Sequence, residues 1–283
     1  METKKNLVNQ LAFGLFLGVV ATAAGARIIV NVIPNQTGIL LAQLAIILVL
    51  PVTFVVAKSV PQTRLEKHPM DPMTVIKWIL VGIAGTFAFN FLGHHLATIV
   101  SAIAGKGPVE STVATALTNM PKWYILGVVV FLGPIIEELI FRQVILTRLM
   151  VYGKRGAILI SSLMFALYHG NIEQLFYTFF MGAILAIVMS KTGNLIYPII
   201  IHVFLNFWGG FLPMILKDVQ IFPTIILITV AIGIAQILKL RSLIGDTEDI
   251  YGLETIALRR SILNVGMILL IGYFIVKNYF IYF

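Results

Sequence analysis

The chain has 283 residues, of which 59% are hydrophobic and only 11% are charged, and its net charge is +8. Together with a mean hydropathy of +0.98, this composition excludes a soluble globular protein and predicts a membrane protein. The absence of cysteine excludes disulfide bonds and thiolate chemistry.

Nine apolar stretches follow one another along the chain, and we predict them to be membrane-crossing helices. About 17–25 apolar residues span a hydrocarbon layer of about 30 Å, and the fifth and sixth stretches are short by that measure. We therefore expect an all-α, polytopic membrane helix bundle with about eight to nine transmembrane helices and an intramembrane active-site cavity. The first stretch lacks a small-residue cleavage pattern, so we expect it to be retained rather than removed as a signal peptide. In chain order the stretches are residues 8–30, 38–57, 76–103, 123–150, 156–170, 174–190, 195–215, 222–240 and 261–282.

Basic residues are unevenly distributed between the two sides of the predicted bundle. If the N-terminus is cytoplasmic, 15 of the 20 Lys and Arg residues fall in inner segments, as the rule for Lys/Arg-rich cytoplasmic loops requires. The positive charge therefore reflects topology, and we expect membrane lipids but no nucleic acid as partners. We see no internal repeat, so residues 1–283 are expected to form a single membrane domain. The longest inner loop, residues 241–260, carries charges of both signs and is predicted to be a solvated connector.

Two adjacent carboxylates, Glu137 and Glu138, interrupt the fourth apolar stretch. An ionised group near the bilayer centre costs on the order of 2.5–3.5 kcal/mol on insertion scales, so such residues usually face a protein interior and serve function. Arg142 is four residues after Glu138 and lies on the same helix face, where it can hold that carboxylate ionised. Glu137 points elsewhere and is the candidate proton acceptor. The alternative is a purely structural ion network at a helix end.

A second polar position is His169, four residues after Phe165 in the fifth stretch. A histidine near a helix end is often only an interfacial residue. However, Gly153 and Gly156 bound a turn, and helices packed antiparallel across it would place Glu137 and His169 at a similar depth, about 20–24 Å along the hairpin. We therefore expect the carboxylate and the imidazole to lie near each other.

The third polar pair is His202 and Asn206, which are spaced to project from one face of an otherwise apolar helix. Polar side chains of this kind can hold transmembrane helices together by hydrogen bonds. An imidazole and a carboxamide on one face can also donate hydrogen bonds to a developing oxyanion. The pair alone does not decide between these two roles.

Taken together, the three motifs resemble the family that joins the type II CAAX prenyl endopeptidases to the bacteriocin-processing and self-immunity proteins called Abi. The patterns Glu-Glu-x-x-x-Arg, Phe-x-x-x-His and His-x-x-x-Asn occur in order within about residues 120–210, and every signature position matches. The resemblance implies an intramembrane peptide hydrolase whose motif-bearing helices lie within residues 120–210. Its substrate would be a membrane-associated peptide or protein, which can be prenylated.

The resemblance also implies a role for each motif residue. Glu137 and His169 would activate a water molecule, while His202 and Asn206 would stabilise the oxyanion. The supporting residues would be Glu138, Arg142 and Phe165.

The cofactor requirement has two readings. Glu137, His169 and His202 would supply the carboxylate and two histidines of a catalytic zinc site with an open position for water. We expect no metal to be required, because Asn206 suits oxyanion donation better than zinc ligation. Zinc held by those three residues is the alternative.

Two other functional classes compete with a protease. The first is a non-catalytic membrane regulator or bacteriocin-immunity protein with the same fold, although such a protein is expected to lose Glu137 or His169, and both are present. The second is a transporter, which often has paired broken helices in two related halves, and these are not found. The sequence also lacks the His-Glu-x-x-His and Gly-x-Ser-x-Gly motifs of other proteases. His94 and His95 are expected to serve helix packing or the membrane interface.

Overall fold

The computed structural model of the protein describes residues 2–107, 111–216, 219–239 and 264–283. All regular secondary structure in these ranges is helical, which confirms the predicted all-α helix bundle. The predicted active-site cavity stays a prediction. In chain order the helices are α1 (Glu2–Val32), α2 (Gln36–Ala57), α3 (Pro72–Ile103), α4 (Thr112–Thr118), α5 (Lys122–Tyr152), α6 (Lys154–His169), α7 (Ile172–Thr192), α8 (Ile196–Leu216), α9 (Phe222–Ile237) and α10 (Val265–Tyr282).

Every predicted stretch overlaps one of these helices, and the short helix α4 was not predicted. Within the described ranges, seven helices are long and apolar enough to cross a membrane. Helices α6 and α9 have 16 residues each, or about 24 Å at the usual rise, which is less than the hydrocarbon thickness. The predicted 241–260 connector and the first residues of the last stretch lie outside the described ranges.

Helix boundaries near the candidate site follow from specific capping residues. Asn171 is the N-cap residue of α7, and its side chain accepts a hydrogen bond from the Glu173 amide, as expected at this position. Gly170 ends α6 with φ 62° and ψ 29°, a left-handed conformation that glycine adopts readily. The two residues together make a sharp turn immediately after His169.

The connector of residues 58–71, between α2 and α3, is tied to two helices that carry motif residues. The amide of Thr63 donates to the carbonyl of Thr147 on α5, at 3.1 Å. The amide of Met70 donates to the hydroxyl of Tyr197 on α8, at 2.9 Å. The connector therefore helps fix the relative placement of α5 and α8.

The motif-bearing helices pack closely in the buried core. Phe141 on α5 and Phe165 on α6 are fully buried, and their ring centroids are 4.9 Å apart in an edge-to-face arrangement, which is favourable for aromatic pairs. Gly182 lets α7 approach α6, because a Cβ atom there would be 3.2 Å from the Phe165 ring. Phe165 thus sits at the junction of three helices.

Candidate active site

Helix α5 departs from regular α-helical geometry on both sides of the paired carboxylates. The segment Gly133–Glu138 is α-helical, whereas Ile125–Leu132 and Leu139–Leu146 have wider π-helical turns. Such turns are rare and frequently occur at functional sites. The depth expected for Glu137 from a uniform α-helical rise therefore does not apply to this part of α5.

The ion pair between Glu138 and Arg142 is the most deeply buried part of the site. The Nε atom of Arg142 is 2.9 Å from Oε2 of Glu138, and both side chains have 0% exposure. The two atoms are in close contact without the alignment of a hydrogen bond, and the Nη1 and Nη2 atoms of Arg142 have no hydrogen-bond partner among the residues that the structure describes. The guanidinium carbon also lies 5.1 Å from the centroid of the Phe165 ring, within the range of a cation–π contact.

His202 joins the site through Glu138. Its Nδ1 atom is 2.8 Å from Oε1 of Glu138, and the carboxylate paired with Arg142 accepts this hydrogen bond from Nδ1–H. The bond fixes the orientation of the imidazole and directs Nε2 toward Glu137, where the Nε2–Oε2 distance is 3.6 Å. The four side chains of Glu137, Glu138, Arg142 and His202 therefore form one contiguous cluster.

Glu137 is the more accessible of the two carboxylates. Its side chain is 11% exposed, compared with 0% for Glu138. Since Glu138 is already in contact with both Arg142 and His202, Glu137 is the carboxylate that remains available for chemistry.

His169 lies at the edge of this cluster with its ring orientation fixed. Its Nδ1 atom donates to the carbonyl of Phe165 at 2.8 Å, so the neutral imidazole keeps a lone pair on Nε2. Its ring centroid is 4.7 Å from that of Phe165, which is also 5.9 Å from the centroid of His202. The expected proximity to Glu137 is not a direct contact, since no ion pair of 4.0 Å or less joins the two in the described ranges.

Asn206 is the motif residue that contacts the main chain of α5. Its Nδ2 atom donates to the carbonyl of Val129 at 2.9 Å. A carboxamide has two N–H donors, so the second remains for another acceptor. The structure thus brings His202 to the carboxylates and links Asn206 to the π-helical segment before them.

The zinc alternative names three donors, the carboxylate of Glu137 and the imidazoles of His169 and His202. Among the residues that the structure describes, no three His, Asp or Glu side chains converge as ligands of one metal ion would. The expectation that no metal is required, with zinc on Glu137, His169 and His202 as the alternative, stays a prediction, and we derive no catalytic step through a metal.

Several contacts could not be read from the sequence. Glu138 and His202 are 64 residues apart in the chain, and neither motif identifies the other as its partner. His94, which was expected to serve helix packing or the membrane interface, has its Nδ1 atom 3.4 Å from Oε1 of the buried Glu173 on α7. A signal for that contact was absent because no carboxylate lies near His94 in sequence.

Comparisons with known proteins place the same segment in a described family. Residues 119–208 match the family described as type II CAAX prenyl endopeptidase Rce1-like, and all seven motif residues fall within this range. YxdF of Lactococcus lactis, a UPF0177 protein, is 32% identical over 48% of this chain and 75% of its own length.

Two further bacterial relatives have names that refer to proteolysis. YdiL, a candidate membrane peptidase of Bacillus subtilis, is 30% identical over 56% of this chain and 64% of its own length. The membrane-embedded CAAX protease MroQ of Staphylococcus aureus is 29% identical over 51% of this chain and 61% of its own length. The chain thus spans less than two thirds of the length of these two relatives. No solved structure matches the chain.

Proposed function

We propose that this chain, which belongs to the Rce1-like family of type II CAAX prenyl endopeptidases, hydrolyses a peptide bond of a membrane-associated protein or peptide. One observation carries the proposal: Glu137, which is 11% exposed and adjacent to His202, lies beside the carboxylate of Glu138, which is already held by Arg142 and His202. A structural ion pair requires only one of the two acids. The carboxylate that is not held by Arg142, that of Glu137, is therefore assigned to catalysis.

Water activation falls to Glu137 and His169. The water molecule donates one hydrogen bond to the Glu137 carboxylate and the other to Nε2 of His169, whose Nδ1–H is bound to the Phe165 carbonyl. The water oxygen then attacks the peptide carbonyl while its proton moves to Glu137, as in general base catalysis. The same proton is returned to the leaving amine when the C–N bond breaks.

Oxyanion stabilisation falls to His202 and Asn206. Because Nδ1–H of His202 is bound to Glu138, its Nε2 can donate only when the imidazole is protonated. The proposal therefore uses the imidazolium form of His202, whose charge together with that of Arg142 would balance the charges of Glu137 and Glu138. Nε2–H of His202 and the remaining N–H of Asn206 then donate to the developing oxyanion.

The reaction as proposed uses no metal. We expect the purified protein to hold less than one zinc ion per chain and to remain active after prolonged incubation with a chelator, because the water is held by Glu137 and His169. Elemental analysis and activity assays measure this. The chelator must be shown to remove zinc from a known buried site under the same conditions. Two results together would contradict the proposal. The wild-type protein would hold one zinc ion per chain that His169→Ala does not hold, and added zinc would restore activity to wild-type protein from which the metal had been removed.

We place the protein in a prokaryotic cell membrane with its N-terminus in the cytoplasm. The uneven distribution of Lys and Arg supports this orientation. Reporter fusions within the 58–71 connector are therefore expected to be active only with a cytoplasmic reporter, whereas fusions after Phe283 should be active only with an external one. A cytoplasmic signal after Phe283 or an external one within the connector would contradict the orientation.

The proposed substrate is a peptide or protein held at the membrane surface, and a prenylated C-terminal tail is one example. Cells producing the wild-type protein or Glu137→Gln would be compared by mass spectrometry of membrane-associated peptides. We expect cleavage products that are present in cells with the wild-type protein and absent in cells with Glu137→Gln. A non-catalytic regulator would give the same peptides in both strains. For an identified tail, matched peptides with and without the prenyl group would then establish whether the lipid is recognised.

A further inference from the structure

Helix α10 lies outside the segment matched to the family, yet its C-terminal half contacts the turn that follows His169. This turn consists of residues 169–172 and is called the His169 turn below. It ends α6 at the left-handed Gly170 and begins α7 at Asn171. Side chains of α10 contact all four of its residues.

Asn278 bridges the two sides of the His169 turn with a single carboxamide. Its Oδ1 atom accepts from the amide of Ile172 at 2.7 Å. Its Nδ2 atom is 3.4 Å from the carbonyl of Gly170 and donates to the carbonyl of Phe274 on its own helix at 2.7 Å. The bond to Phe274 fixes the carboxamide, so the turn is held by a side chain that cannot easily rotate.

Two neighbouring side chains extend this contact. The Nζ atom of Lys277 donates to the carbonyl of His169 at 3.1 Å, where a cation is favoured by the helix dipole. The hydroxyl of Tyr282 donates to Oδ1 of Asn171 at 3.0 Å. The main chain of the turn lies close to α10, since a Cβ atom at Gly170 would be 2.6 Å from Cδ of Lys277.

The opposite end of α10 is fixed to α1. The amide of Gly266 donates to Oδ1 of Asn9 at 2.7 Å, and a Cβ atom at Gly266 would be 2.4 Å from the carbonyl oxygen of Asn9. Helix α10 therefore connects the first helix of the bundle with the His169 turn.

The position of His169 depends on the end of α6. Its imidazole is bound to the carbonyl of Phe165 in the same helix, so the ring moves with that helix end. No direct ion pair to Glu137 holds the ring within the ranges described. Displacing a catalytic group by about 1 Å can cost about 100-fold in rate, so the contacts that hold the turn affect catalysis.

We infer that Asn278 is a positioning residue for His169, and that α10 is part of the catalytic unit although it lies outside the family segment. This inference rests on the proposed function. Asn278 does not touch the reacting atoms, and it acts by holding the His169 turn against α10.

Kinetics with matched variants test the inference in the full chain reconstituted in liposomes. Asn278→Leu keeps a similar volume and removes both bonds to the turn, so we expect kcat to fall about 10- to 100-fold with KM changed less than about 3-fold. Asn278→Asp keeps the acceptor for the Ile172 amide and should recover part of the lost kcat. Val276→Ala, an exposed position on the same helix, should match the wild type.

Amide hydrogen exchange provides a measurement that does not need a substrate. In Asn278→Leu we expect faster exchange at Ile172, with exchange in the remainder of α7 unchanged. Unchanged exchange at Ile172 would overturn the inference. A kcat for Asn278→Leu equal to that of the wild type would also overturn it. The same holds if Asn278→Leu lowers only the amount of folded protein and leaves kcat per folded molecule unchanged.

Failure of the proposed function would give a different result. If the wild type and Glu137→Gln cleaved no peptide or cleaved equally, the catalytic assignment would fail and the positioning role would fail with it. A wild type that is active, a Glu137→Gln that is inactive and an Asn278→Leu with wild-type kinetics would overturn only the inference about α10.

Discussion

Glu137→Gln and His169→Ala are each expected to abolish cleavage of an identified substrate while leaving the thermal unfolding midpoint in detergent nearly unchanged. The glutamine keeps the shape of Glu137 but cannot accept the proton of the attacking water. The alanine removes the Nε2 lone pair that holds that water. We expect at least about a 1,000-fold loss in kcat/KM for each, because general base catalysis and water orientation are both lost.

His95→Ala is the matched control for His169→Ala. His95 also has its Nδ1 atom bonded to a carbonyl four residues earlier, at 2.9 Å from the Phe91 oxygen, but it is exposed and distant from the motif residues in sequence. We expect it to retain wild-type activity. If Glu137→Gln retained most of the activity, the assignment of the general base would be wrong.

Arg142→Met is expected to reduce the free energy of unfolding by about 3–5 kcal/mol, because it leaves the carboxylate of Glu138 buried without its cation. Unfolding in detergent, followed by denaturant or temperature, measures the loss. The double variant Glu138→Gln/Arg142→Met removes both charges and should recover most of the stability. It should remain poorly active, since His202 loses the ionised partner that its protonated form requires.

Arg148→Met is the control for Arg142→Met. It shows how much stability is lost when a buried arginine is removed that has no carboxylate partner among the described residues. Arg148 is also buried, but it donates to the backbone carbonyls of Ala57, Val60 and Val144. Its replacement should be destabilising through lost hydrogen bonds, and Glu138→Gln should not relieve that loss. Equal rescue of the two arginine variants by Glu138→Gln would contradict the proposed role of the Glu138–Arg142 pair.

The helices and the local ion pair could be predicted because both depend on short-range patterns. Runs of apolar residues identified each long helix, and the four-residue spacing of Glu138 and Arg142 predicted a contact that the structure has at 2.9 Å. The two helices of 16 residues were recognisable by composition, although not by a full membrane-spanning length.

Contacts between distant segments could not be predicted in the same way. The estimate that Glu137 and His169 share a depth assumed a uniform rise along α5, whereas Leu139–Leu146 has wider turns. The bond between Glu138 and His202 depends on how α5 and α8 cross, and Asn278 reaches the His169 turn over 106 residues. No local spacing rule encodes either contact.

Hydrolysis in water enriched in oxygen-18 tests the central claim most directly. The reconstituted protein would be incubated with a membrane-associated peptide that depends on Glu137 in cells, and the products would be weighed by mass spectrometry. The account predicts one oxygen-18 atom in the new C-terminal carboxylate with the wild type, and no product with Glu137→Gln. Product formation that continues in purified Glu137→Gln, or the absence of any product with the wild-type protein, would contradict it.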